Sequence, residues 1–179
     1  MMPNMFELMR PGVGEYLPFY ETYISKVPEG SVIRTLETNG NGTSSRLSRL
    51  TDAQAAHAYA PGKWTVKQVL GHMLDTERVF AYRLLTLARG DSGPLPGFEQ
   101  NLFVETWDLS KVPMLSLMAE WDAVRMGTLR LLYHLSEWDW TRRGVASGGE
   151  VTVRALAFMI AGHEIHHRGT LEREYHISF

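Results

Sequence analysis

The chain has 179 residues, 44% hydrophobic and 21% charged, with 18 Lys plus Arg against 20 Asp plus Glu and a formal charge of −2. That length suits one domain around one core, and the near-balanced charge, without a Lys/Arg-rich run, argues against a nucleic-acid partner or an anionic membrane surface. Cysteine is absent, which excludes disulfides, Cys-ligated zinc and a Cys nucleophile. Residues 1–29 are expected to form an N-terminal extension packed on the single domain that spans 1–179. They lack a basic stretch leading into an apolar one of signal-peptide length, and no apolar run in the chain is long enough to cross a bilayer. A cytoplasmic location is therefore expected.

Four long helices are expected. In the first, Ile33, Leu36, Gly40, Thr43, Leu47 and Leu50 follow a 3-4-3-4-3 spacing, the stripe of a bundle helix. Its weak point is the "NGNG" at 39–42 inside residues 37–46, a poor helix former. Either the helix breaks there or the small residues face something that needs room; a continuous helix is the expectation. The second follows Thr65, which with Gln68 makes a capping box, and stops at Gly90. The third runs from about Pro113 to Leu135, with Ser110 expected as its cap. The fourth runs from about Thr152 to Tyr175. Between the second and third lies a long connector, 91–112, with Phe98, Phe103 and Trp107 among prolines and glycines. Its aromatics are costly to leave in water, so it is expected to cover one end of the bundle. Residues 136–150 read as turns. The fold class is all-α: a four-helix bundle with long crossover connections.

The chemistry concentrates in "HEIHHRG", residues 163–169. Residues four apart share a helix face, so His163 and His167 can present two imidazoles to one ion, with Glu164 completing H-E-x-x-H. The extended metalloprotease pattern fails, because Thr170 and Arg173 stand where it needs Gly and His. The third ligand must come from upstream. His72 is the best candidate, since it lies on the second helix beside Val69 and Met73, and bundle interiors assemble metal sites from facing helices. Three neutral imidazoles suit a zinc- or nickel-class ion with open positions for water. His57, His134 and His176 read as packing or surface residues. His166 points about 100° away from His167 and reads as an accessory or solvent residue.

Three stretches, "GKWTVKQVLGHMLDTERVFAYRLLTLARGD", "LPGFEQNLFV" and "TVRALAFMIAGHEIHHRGTL", carry a resemblance over about residues 30–172. They are similar to the DinB/YfiT-like family of four-helix-bundle metalloenzymes, with the W-[ST]-x-x-x-V-x-x-H opening, the D-x-E-R tail and the H-x-x-x-H-R-G ending in order. The resemblance implies a three-histidine site that maps onto His72, His163 and His167. It also implies homodimers through helix faces. Some relatives use a low-molecular-weight thiol of the bacillithiol or mycothiol type, and others are hydrolases or isomerases.

Two activities on a small molecule are therefore expected from such a site. One is hydrolysis by metal-activated water, with Glu164 as candidate catalytic proton shuttle; its competing reading is a supporting carboxylate. The other is S-transfer by a metal-activated thiol, which a chain without cysteine must take from a cofactor. A non-catalytic metal-binding or stress-response dimer is the alternative. Asp75, Thr76 and Gln100 are candidates for supporting the ligands or touching substrate, with Glu77 as another carboxylate for an imidazole N–H. Arg78 and Arg83 are expected to pair with Glu77 and Glu99, holding an anionic substrate being the alternative. Trp64 is expected as a core anchor.

Overall fold

The computed structural model describes residues 5–179, so residues 1–4 of the expected extension lie outside the described part. Two short helices, α1 (Met5–Leu8) and α2 (Glu21–Ile24), precede α3 (Val32–Leu47) and α4 (Asp52–Ala55). Then come α5 (Val66–Ala88), α6 (Gln100–Thr106), α7 (Met114–Tyr133) and α8 (Glu137–Thr141). A hairpin of β1 (Arg143–Ala146) and β2 (Gly149–Thr152) leads into α9 (Val153–Tyr175).

Local chemistry accounts for the long helices. Ser31 caps α3, accepting from the Arg34 N–H, and Thr152 caps α9, accepting from Ala155. Thr65 and Gln68 form the reciprocal capping box of α5. The expectation for α7 is corrected: Ser110 lies in a separate 3₁₀ turn and bonds Asp108, and Pro113 holds the cap position without a side-chain bond. The Met114 N–H is instead taken by Asp52 of α4 at 2.9 Å, and Asp52 is paired with the buried Lys67. The cap is supplied across space, which local spacing does not reveal.

Helix α3 runs unbroken through "NGNG" because its glycines make room. A Cβ on Gly40 would lie 2.7 Å from Nη1 of Arg125. Glycine costs about 1 kcal/mol of helix propensity, and here the packing that its bare backbone permits offsets that cost.

Long helix α5 packs on α7 and α9, and α3 packs on α7 and α9. The core divides into two ends. One gathers Val32, Ile33, Leu87, Leu132 and Val153. The other gathers Leu47, Val66, Met114 and Leu171. Helices α3 and α9 therefore run one way and α5 and α7 the other. Because α5 and α7 are consecutive and parallel, the chain must travel back the full length of α5 between them. This explains the connector and corrects its placement: it runs along α5 instead of covering a bundle end. Arg83 binds the Pro96 carbonyl near the start of this path, and Trp107 and Leu109 reach Gly71 near its end.

Residues 136–150 are more ordered than turns, holding α8 and the hairpin. The hairpin adds a small sheet to the all-helical expectation. Its four-residue strands are too short to leave a clear alternation, and they are held by the connector: Val145 N–H donates to Ser92 O and Leu95 N–H donates to Val145 O, both at 2.8 Å.

Helix α2 lies on α9 at unusually close range. A Cβ on Gly162 would sit 2.1 Å from the Tyr23 carbonyl oxygen. Gly162→Ala is expected to push α2 off the bundle and to lower unfolding free energy by about 1–3 kcal/mol, read by urea denaturation, with faster proteolysis before residue 30.

Candidate metal centre

The antiparallel contact of α5 with α9 brings together His72, His163 and His167. Nε2 of His163 lies 3.0 Å from Nε2 of His72 and 3.1 Å from Nε2 of His167. One ring nitrogen from each residue falls within 4.8 Å of the other two. His72 and His163 are buried and His167 is half-buried. Burial, with a smaller push from His166, takes the His72 imidazole down to about 4. Burial and then the neighbouring imidazoles hold His163 and His167 well below the usual histidine range. All three are therefore neutral near pH 7, the form that ligates a metal.

The donor set fits a transition ion. A tetrahedral ion with arms of about 2.0–2.1 Å spaces its ligands about 3.3 Å apart, close to the two separations that His163 makes with His72 and His167. Aromatic rings wall the triad. Trp64 lies 5.1 Å from His72, and Tyr23 lies 5.2 Å from His163 and 5.3 Å from His166, all between centroids. Trp64 thus anchors the α5 entry against the His72 imidazole, and His166 is occupied against Tyr23.

His163 and Thr76 form one wall of a cleft of about 530 Å³. Phe19, Tyr20 and Tyr23 close it from the N-terminal segment, Phe80 from α5, residues 97–101 from the connector and Ser147 from the hairpin. Its volume is within the range of small-molecule sites.

The other candidates separate. Thr76 is beside the triad, its hydroxyl at a long 3.5 Å from Nδ1 of His72. Gln100 is on the cleft rim. Asp75 is drawn away by Arg78, which also binds Glu120, so the Arg78–Glu77 pairing expected from sequence is replaced. Arg83 binds Pro96 and Ser147 where Glu99 was expected.

Glu164 is turned into the bundle, which corrects the proton-shuttle expectation. One of its oxygens accepts from the Thr43 hydroxyl at 2.7 Å and the other from Nη1 of Arg125 at 2.8 Å. Arg125 also clasps both oxygens of Glu77, at 2.9 and 2.7 Å, and donates to the Leu36 carbonyl at 2.7 Å. Its guanidinium stacks 4.9 Å from the Trp121 ring centroid. Burial, helped by the Glu77 charge, holds the Glu164 carboxyl above its ordinary value, and Arg125 and Thr43 offset this only in part. Neither Arg125 nor Tyr23 was found by motif. The signal for Arg125 was present: Trp121, Arg125, Thr128 and Leu132 lie on one buried helix face.

The model of the DinB superfamily matches residues 35–171. The chain belongs to the DinB superfamily. It is 26% identical over 137 residues to a protein of Oceanobacillus iheyensis named "Putative metal-dependent hydrolase", covering 75% of this chain and 78% of that one. A protein of the same name from Bacillus mycoides is 26% identical over 151 residues, with 82% and 86% covered. Among solved structures, YfiT from Bacillus subtilis, described as a probable metal-dependent hydrolase with an unusual four-helix bundle topology, superposes with a TM-score of 0.70 at 20% identity, covering 93% and 97% of the two chains. A mycothiol-dependent maleylpyruvate isomerase gives 0.65 at 15% identity, covering 80% of this chain and 61% of its own. At such identities these two share the fold.

Arg125→Ala leaves two carboxylates buried without their cation and is expected to cost about 3–5 kcal/mol of stability by chemical denaturation. Adding Glu164→Gln to that variant is expected to return part of the loss; no recovery would mean that carboxylate repulsion is not the cause.

Proposed function

We propose that this chain is a metal-dependent enzyme acting on a small molecule bound in the cleft beside His163. The observation that carries this reading is the convergence of three neutral imidazole nitrogens, one of which, that of His163, belongs to the wall of a ligand-sized cleft. His72, His163 and His167 would hold a divalent zinc- or nickel-class ion. Such an ion supplies Lewis acidity, which acidifies a water or thiol and polarises a substrate oxygen. The chain's own residues do the rest. Phe80 and Tyr23 shield the triad from bulk water, Thr76 lies against the His72 ring, and Gln100 at the rim offers an amide to substrate.

Hydrolysis is favoured by the names of the sequence relatives. S-transfer with a low-molecular-weight thiol of the bacillithiol or mycothiol type is the second reading. It is favoured by Glu164, whose engagement with Arg125 and Thr43 removes the expected base: a thiol ionises more readily than water and depends less on one.

Protein purified without a polyhistidine tag is expected to contain about one divalent transition metal per chain by elemental analysis. His72→Ala and His163→Ala are expected to lose it, and Glu164→Gln to keep it. Turnover of ester and amide panels without added thiol would select hydrolysis, and turnover of electrophiles only with thiol would select transfer. A wild type that takes up neither zinc nor nickel would remove the basis of the proposal.

A further inference from the structure

The two buried arginines of the helical body are treated differently. Arg125 has two carboxylates. Arg83, on α5, is 2% exposed and has no ion pair among the described residues. Its Nη2 donates to the Pro96 carbonyl at 2.7 Å and to the Ser147 hydroxyl at 2.9 Å, and its guanidinium lies 5.7 and 5.9 Å from the Phe80 and Phe98 ring centroids. These partners are neutral, and a buried cation without a counter-charge is costly. Phe80, Phe98 and Ser147 all line the cleft that His163 borders, so the uncompensated charge lies directly behind its wall.

Ser147 connects that charge to the cleft. Its oxygen accepts from Arg83, so its own proton must be donated elsewhere. No acceptor for it exists among the described residues, and the residue faces the cleft. A hydroxyl that accepts from a cation is polarised into a stronger donor. The side-chain amides of Gln100 and Asn101, also on the cleft, make no hydrogen bond among the described residues and can add donors. The one acid on the lining, Glu99, is exposed at the rim, where solvent screens it.

We infer that this end of the cleft is an anion subsite, formed by Ser147 backed by Arg83, and that the substrates are small carboxylic acids. The inference deepens the proposed function and rests on it for the use of the cleft. Thr76, beside the histidines, and Arg83 are seven residues apart on α5, an axial rise of about 10 Å. The substrate carries its carboxylate about that far from its reacting bond, with an apolar stretch between them against Phe80 and Phe98.

The test is a ¹⁵N-HSQC titration of the full, metal-loaded chain with 3-phenylpropionate and its neutral isostere 3-phenylpropionamide. The acid is expected to bind about tenfold or more tightly than the amide, shifting the Gly97, Phe98 and Ser147 amides, as for a hydrogen bond to a charged group. Ser147→Ala and Arg83→Gln are expected to erase that preference while the metal content stays at the wild-type level. Ser147→Ala removes only a half-exposed hydroxyl, so it keeps the test open if loss of Arg83 unfolds the connector. Equal binding of acid and amide, or a preference that Ser147→Ala retains, would overturn the subsite. Repeating the titration on chelator-treated protein separates the two proposals: a preference that persists there supports the subsite even if the metal reading fails. A preference that vanishes there means the carboxylate was binding the ion, and overturns it.

Discussion

The guanidinium of Arg125 lies at the crossing of the four long helices. It takes Glu77 from α5, Glu164 from α9 and the Leu36 carbonyl from α3, while Thr43 of α3 completes the Glu164 carboxylate. Removing Arg125 strands two carboxylates in a low-dielectric interior, so the members specify one another. Two features follow from that brace. Gly40 must be glycine for the guanidinium to pass, which is why a segment of poor helix propensity stays helical. Glu164 is also pinned inward, which fixes the rotation of α9 and turns His163 and His167 toward His72. The motif's acid orients the helix that carries its two histidines.

The second constraint is topological. Parallel consecutive helices need a return path, and the return of residues 89–113 along α5 builds the outer wall of the cleft. The hairpin before α9 holds the first part of that path through backbone bonds at Ser92 and Leu95. The N-terminal segment closes the other side, made possible by the close approach of Tyr23 to Gly162. Thus the three histidines come from two bundle helices, whereas most of the cleft lining comes from the connector, the hairpin and the N-terminal segment.

Much of this was legible in the sequence. Periodicity and caps placed α5 and α9 within a residue or two, and i, i+4 spacing with one inward histidine on a facing helix named the three residues that converge. What was not legible was mostly non-local. The Asp52 cap of α7 comes from 62 residues away. Arg78 was expected on Glu77 and Arg83 on Glu99, yet Arg78 reaches Glu120 as well as Asp75, and Arg83 reaches Ser147. The connector's course depends on the relative direction of two helices, which local pattern does not encode. Arg125 was readable as a charged residue on an apolar face, and such residues on a bundle helix merit the same scrutiny as histidines.

The proposed centre is three imidazoles sharing one ion. The most direct measurement is X-ray absorption at the metal edge of zinc-loaded wild-type protein and of His72→Ala. Three imidazole nitrogens are expected at about 2.0–2.1 Å in the wild type, and two in the variant or no ordered metal. An ion with fewer than three imidazoles in the wild type, or a spectrum unchanged by loss of His72, would contradict a centre built across α5 and α9.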